Sequence, residues 1–267
     1  MFNLPLVPHY LSMSVLSGAD RIMIRNMVAA REAGIYNLAY NISLIMTMFN
    51  TALMQTIEPW LYIKIKQKRI EDLSKVAYTT FILIAGMNVM LMALAPEVVT
   101  IFAPSTYHEA IYVIPPVAMS VYFMYAYSFF AVFEFYYEKT NLVMIATTLS
   151  AALNILLNYI FIKLFGYIAA GYTTLVCYIL YAAFHYIFMR RLCNECLDGK
   201  QPYDLRILLL ISALFVCVGF VFLMTYDAPA VRYALLLIIV VSIILKRSEL
   251  IETIKNLLAL KKEGNAA

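Results

Sequence analysis

The chain has 267 residues, of which 64% are hydrophobic and 13% charged, and its net charge is +4. A soluble domain carries about 25% charged residues, so a chain with a mean hydropathy of +0.81 has too little polar side chain to cover a water-facing surface. Composition therefore excludes a water-soluble globular protein. The basic residues fall in short groups that form no nucleic-acid patch, so no nucleic-acid partner is expected.

A helix that spans a bilayer needs about 20 apolar residues. Runs of this kind occupy 4–27, 34–62, 76–96, 108–137, 141–163, 168–189, 205–226 and 229–246. None shows the period-two alternation of a barrel strand, and lipid leaves open backbone unpaired. The expected fold class is all-α: a polytopic transmembrane helix bundle of about eight spans. The first run is preceded by no basic segment and followed by no small-residue cleavage site, so it is read as a retained span and not as a leader. The runs at 34–62 and 108–137 are long enough to tilt or to protrude into water.

The connectors alternate in charge. On one side lie Lys64, Lys66, Lys68, Arg69, Lys75, Lys139, Arg190, Arg191, Lys200, Arg206, Lys246, Arg247, Lys255, Lys261 and Lys262, fifteen in all; on the other lie Arg21, Arg25, Arg31, Lys163 and Arg232. The positive-inside rule assigns the first side, and with it both termini, to the cytoplasm. After the last run, residues 247–267 form a cytoplasmic amphipathic tail, with Leu250, Ile251, Ile254, Leu257 and Leu258 on one helical face. Such a tail is expected to lie on the inner membrane surface and contact its lipids. Cys177 and Cys217 lie in apolar runs as packing residues. Cys193 and Cys196 form a lone CxxC in the connector, read as free thiols in a reducing loop.

Polar residues inside apolar runs are costly, so each needs a partner, a wet cavity or an interface. Asp20, Arg21 and Arg25 come first. Arg21 and Arg25 are four apart and share a helix face. Two guanidinium forks on one face suit a phosphate or pyrophosphate; the alternative is that they snorkel to the interface and pair with Asp20 or lipid headgroups. Tyr36, Asn37, Tyr40 and Asn41 form a polar-aromatic stripe that suits either a sugar-binding wet cavity or hydrogen bonds between helices. Glu58 and Glu134 lie near helix ends, where they either titrate in an ion-coupled cycle or reach the interface. Asn154 and Asn158, again four apart, mark tight helix packing or a polar pathway. The three histidines are scattered, and no zinc-protease motif, nucleophile elbow or glycine-rich phosphate loop is present. Neither an enzyme nor a cofactor or metal site is expected.

Taken together, Leu4-Pro5-Leu6, Asp20-Arg21-Ile22-Met23-Ile24 and Ala33-Gly34-Ile35-Tyr36-Asn37-Leu38-Ala39-Tyr40 resemble the start of the C-terminal lobe of polysaccharide transporters of the Wzx or RfbX type. These belong to the multidrug, oligosaccharidyl-lipid and polysaccharide exporters. A second stretch agrees: Glu138-Lys139-Thr140, then Asn154 to Ile162 with its two asparagines, then Phe165-Gly166-Tyr167-Ile168-Ala169-Ala170-Gly171-Tyr172-Thr173-Thr174 and Tyr178. The resemblance covers about 4–190. It implies a transmembrane lobe over 1–190, a cytoplasmic linker at 191–204 and two additional helices over 205–246.

The resemblance further implies a flippase in the bacterial cytoplasmic (inner) membrane. Its cargo would be undecaprenyl-pyrophosphate-linked oligosaccharide repeat units for O-antigen, capsule or exopolysaccharide. Cationic residues of a central cavity would meet the pyrophosphate. By position these are Arg21 and Arg25, with Lys139 at the cytoplasmic rim and Asp20 orienting an arginine. Family members alternate access between two lobes, so this chain is expected to work with a missing N-terminal lobe, a second copy or other polysaccharide-assembly proteins. Two other readings remain: a membrane polymerase or ligase acting on the same lipid-linked glycans, and a membrane subunit without transport of its own. Such enzymes usually display a large basic outer loop, and 95–107 contains no Lys or Arg.

Overall fold

A computed structural model of the chain describes residue 4 and residues 6–265, with side chains as far as residue 260. The readings of Pro5, Lys261 and Lys262 above lie outside the described side chains. All regular structure among the described residues is helical. In chain order the long helices are α1 (Leu6–Met27), α2 (Ala30–Lys66), α3 (Leu73–Ala93), the short α4 (Ala95–Phe102), α5 (Ile114–Tyr136), α6 (Thr140–Phe165), α7 (Ala169–Cys196), α8 (Leu205–Met224), α9 (Pro229–Leu245) and α10 (Arg247–Asn265). Single 3-10 segments precede α3 and α5.

Local chemistry sets the breaks. Ala29 turns to extended backbone (φ −165°, ψ 167°) between α1 and α2. Lys68 and Glu138 adopt left-handed φ of 58° and 57° just past the ends of α2 and α5. In each case the next two amides bond back to the last turn: Lys68 N to Ile65 O and Arg69 N to Lys64 O, Glu138 N to Phe135 O and Lys139 N to Glu134 O. This pattern of bonds closes a helix and usually recruits glycine. Gly166 (φ 80°) ends α6. Pro115 and Pro116 sit in the first turn of α5, where a missing N–H costs nothing. The Asp204 carboxylate caps α8 by accepting from Arg206 N at 2.8 Å.

The chain is a multi-pass helical membrane bundle. Helices at 70–93, 114–136, 140–165, 169–196 and 205–224 are long and apolar enough to cross a membrane. Three of the runs read as spans fall outside that group for visible reasons. α1 and α2 carry the polar residues described above, and α9 has only 17 residues. The start of the 108–137 run is 3-10 turn, so its helix begins at Ile114. The 95–107 connector is itself partly helical, as α4. α7 continues through Cys196, which moves Cys193 and Cys196 from the expected loop into a helical turn, with Cys193 buried.

α5 is the central helix, buried on nearly every side. Its longest contact is with α7; α2 and α3 pack on its other flanks, and α6 closes on α1 and α7. The α5–α7 approach is close because Gly171 faces Pro116: a Cβ on Gly171 would lie 3.0 Å from the Pro116 Cγ. α8 and α9 are peripheral. They are tied to α3 and α4 by Tyr226 OH donating to Met92 O (2.7 Å) and by buried Arg232 gripping Glu97 with both Nη atoms. α10 does not stand free of the bundle, since Ile254, Leu257 and Leu258 share a pocket with Phe49 and Leu53 of α2 and Leu83 and Met87 of α3.

Candidate functional site: a cleft along α1, α2 and α5

Two adjoining hollows run along the face formed by α1, α2 and α5 and share Met124. One, of about 340 Å³, is lined by Ser17 and Arg21 of α1, Tyr40, Ser43 and Thr47 of α2, and Val117, Ser120 and Val121 of α5. The other, of about 400 Å³, is lined by His9 and Tyr10, by Asn50, Gln55 and Glu58, and by Tyr127, Ser128 and Phe135. A cleft walled by helices and studded with hydroxyls, amides and one guanidinium can hold a polar headgroup away from lipid.

Arg21 is held in place without its charge being neutralised. Its Nη1 donates to Asn37 Oδ1 (3.1 Å), its Nη2 donates to Ser17 O (3.0 Å), and its guanidinium lies 4.7 Å from the Tyr40 ring centroid. No carboxylate forms an ion pair with it among the described residues. The remaining N–H donors are free for an anion in the cleft.

Asp20 does not orient Arg21, contrary to the sequence reading. Neighbouring residues on a helix project about 100° apart, so when Arg21 faces the cleft Asp20 faces the bundle interior. There Asp20 is buried and accepts from Tyr36 OH (2.6 Å), Asn158 Nδ2 (2.6 Å) and Thr174 Oγ1 (2.8 Å). Asn158 Nδ2 also reaches Asn154 Oδ1 (3.1 Å), Asn154 Nδ2 donates to Thr174 Oγ1 (3.2 Å), and Thr173 Oγ1 donates to Asn158 Oδ1. This polar knot joins α1, α2, α6 and α7. Asn154 and Asn158 thus sit behind the cleft wall, as structural partners of Asp20.

The remaining candidates separate. The α2 stripe divides: Tyr36 turns into the knot, Asn37 and Tyr40 serve Arg21, and Asn41 is exposed. Arg25 is exposed beyond the cleft, and Lys139 is exposed at the start of α6. Glu58 lines the second hollow and accepts from Tyr62 OH (2.8 Å). Glu134 does not reach the interface: it is fully buried, 2.7 Å from His185 Nδ1. Sequence reasoning gave no site role to His185, Thr173, Thr174 or Ser17. Thr173 follows Asn158 by 15 residues, across the α6–α7 connector, and Thr174 comes next, a spacing that carries no motif. Ser17 precedes Arg21 by four and was legible as a possible neighbour. Among the described residues no group of three His, Cys, Asp or Glu side chains gathers to hold a metal ion.

No protein-family model matches the chain, and no solved structure matches it. A curated Haemophilus influenzae protein (strain ATCC 51907 / DSM 11121 / KW20 / Rd), protein 1 of the Lsg locus, is similar: 28% identical over 157 residues, which covers 56% of this chain. That stretch is 38% of the relative's own length, so the chain matches well under half of it.

Proposed function

We propose that the chain is one lobe of a flippase that moves undecaprenyl-pyrophosphate-linked oligosaccharide units across the bacterial cytoplasmic membrane, and that it is not an enzyme. The single observation that carries this reading is the placement of Arg21. Among the described residues no carboxylate pairs with Arg21, which lines a hydroxyl-bearing cleft inside a membrane bundle, and the cost of an ionisable group there favours a role in a pathway for a charged ligand. A pyrophosphate supplies the missing anion, and Tyr40 and Thr47 of the same cleft offer an aromatic face and a hydroxyl to the sugar beside it. The cleft is open on one side, which fits a surface completed by a second lobe. That lobe, a second copy or another assembly protein is the partner this reading requires. The match to part of a longer protein supports the same picture.

The test is reconstitution of the chain with the lobe that completes the cavity. A fluorescent lipid-linked oligosaccharide should cross between leaflets with its length unchanged. Elongation of the glycan would instead identify a polymerase. Arg21→Ala removes charge-assisted hydrogen bonds of about 1.5–3 kcal/mol each, so transport should fall by about tenfold or more, with Arg21→Lys recovering part of it. Transport unaffected by Arg21→Ala in a stably inserted protein removes the site assignment.

A further inference from the structure

The Glu134–His185 pair is not used by the cleft. Both side chains are fully buried, on the two helices that form the central contact of the bundle, and His185 Nδ1 lies 2.7 Å from Glu134 Oε1. The other two polar atoms, Glu134 Oε2 and His185 Nε2, are buried without a hydrogen-bond partner among the described residues. No Lys or Arg forms an ion pair with Glu134 there either. With Nδ1–H donating to the carboxylate, a neutral imidazole leaves Nε2 as an acceptor. The site then holds an anion and two orphan acceptors with no donor, an arrangement that is expensive in a dry interior. One proton removes the imbalance. On Nε2 it creates an imidazolium–carboxylate pair; on Oε2 it creates a neutral acid. Either way the net charge of the pair rises from minus one to zero.

The surroundings connect this pair to the cleft. From α7, the Tyr181 ring centroid is 4.5 Å from that of His185; from α5, Tyr127 is 5.3 Å away. From α6, Thr147 Oγ1 lies 3.0 Å from Tyr181 OH and 2.7 Å from His9 Nδ1 of α1. His9 and Tyr127 both line the larger hollow, which carries Glu58 from α2 on its wall. Protonatable side chains thus form the layer between cleft and pair.

We propose that Glu134 and His185 form a buried proton-binding site that exchanges its proton with the cleft through the layer containing His9, Thr147, Tyr181 and Tyr127. Because the pair bridges α5 and α7, its charge state bears directly on the contact at the centre of the lobe.

The test uses the full chain in lipid, without cargo. Infrared difference spectra between acid and alkaline pH should show a titrating carboxyl or imidazole signal that disappears in Glu134→Gln. Its midpoint should move by about one unit or more in His185→Gln, as expected for loss of a close titrating partner. Nitrogen NMR of histidine-labelled wild-type chain reads the protonation of His185 Nε2 directly and needs no variant to fold. A wild-type His185 spectrum and carboxyl signal that stay constant across the titration would overturn the proposal, as would a signal that survives in folded Glu134→Gln. Because neither readout involves transport, failure here leaves the flippase reading standing, and failure of transport leaves this site standing.

Discussion

At the scale of single residues, this protein places its intramembrane polar groups in three distinct settings. Arg21 faces a cavity with donors to spare, Asp20 is saturated by Tyr36, Asn158 and Thr174, and Glu134 keeps one oxygen unpaired. Saturation makes Asp20 a structural residue. Asp20→Ala would leave a phenol, an amide and a hydroxyl buried without their acceptor, at about 1–3 kcal/mol for an unsatisfied group. The expected result is a clear fall in the thermal unfolding temperature in detergent. Asp20→Asn, which keeps one acceptor oxygen, should fall between wild type and Asp20→Ala. An Asp20→Ala protein as stable as wild type would mean that the knot does not hold the four helices together. The sequence made these residues visible as costly but not as different from one another. Asp20 and Arg21 are neighbours, and only the rotation of α1 against α2, α6 and α7 decides which one meets the cavity. All-round apolar helices give too weak a moment to fix that rotation.

At the scale of elements, hydropathy located the helices well, because apolar length is what a bilayer demands. It failed where the cause was not hydropathy. The αL backbone at Lys68 and Glu138 stands where a glycine would have signalled a helix end, and the start of α5 at Ile114 follows from the paired prolines rather than from the apolar run. The 95–107 segment was read as loop, yet Glu97 on α4 anchors α9. Partial burial pushes the Glu97 carboxyl up, but hydrogen bonds from Tyr233, from its own backbone and from Arg232 outweigh this and hold its pKa below the ordinary carboxylate value. A depressed folded-state pKa gives stability that is present above the unfolded-state value and lost as pH falls through the folded-state one. Acidification should therefore loosen α9 from α4, by under about 1 kcal/mol given the partial exposure of the carboxylate. Glu97→Gln should be less stable at neutral pH and should lose that acid dependence. Hydrogen–deuterium exchange over α4 and the start of α9 measures it, and equal acid sensitivity in Glu97→Gln would assign the effect elsewhere.

At the scale of the whole molecule, the connectors gather at two ends as the alternation of charge requires. At one end the turn after α2 meets the segment between α7 and α8: Lys200 pairs with Glu71 (3.0 Å), Lys68 with Asp198 (3.5 Å), and Asp204 N donates to Tyr78 OH (2.7 Å). At the other end Tyr112 approaches Asp227 (3.5 Å), near the Glu97–Arg232 pair. Contacts among connectors expected on one face are what an unbroken series of crossings produces; a missed helix would send Lys68 and Asp198 to opposite faces. If the heavily basic end faces the cytoplasm, as the positive-inside rule expects, the Arg21 end of the cleft would lie toward the outer leaflet and Glu58 toward the inner one. In a cysteine-free background, Lys66→Cys and Arg191→Cys should react with a membrane-impermeant maleimide only after the inner face is opened. Ser105→Cys should react in intact cells. Labelling of Lys66→Cys and Arg191→Cys from opposite faces would break the series of crossings and, with it, the route from Glu58 to Arg21 along which a lipid-linked headgroup would travel.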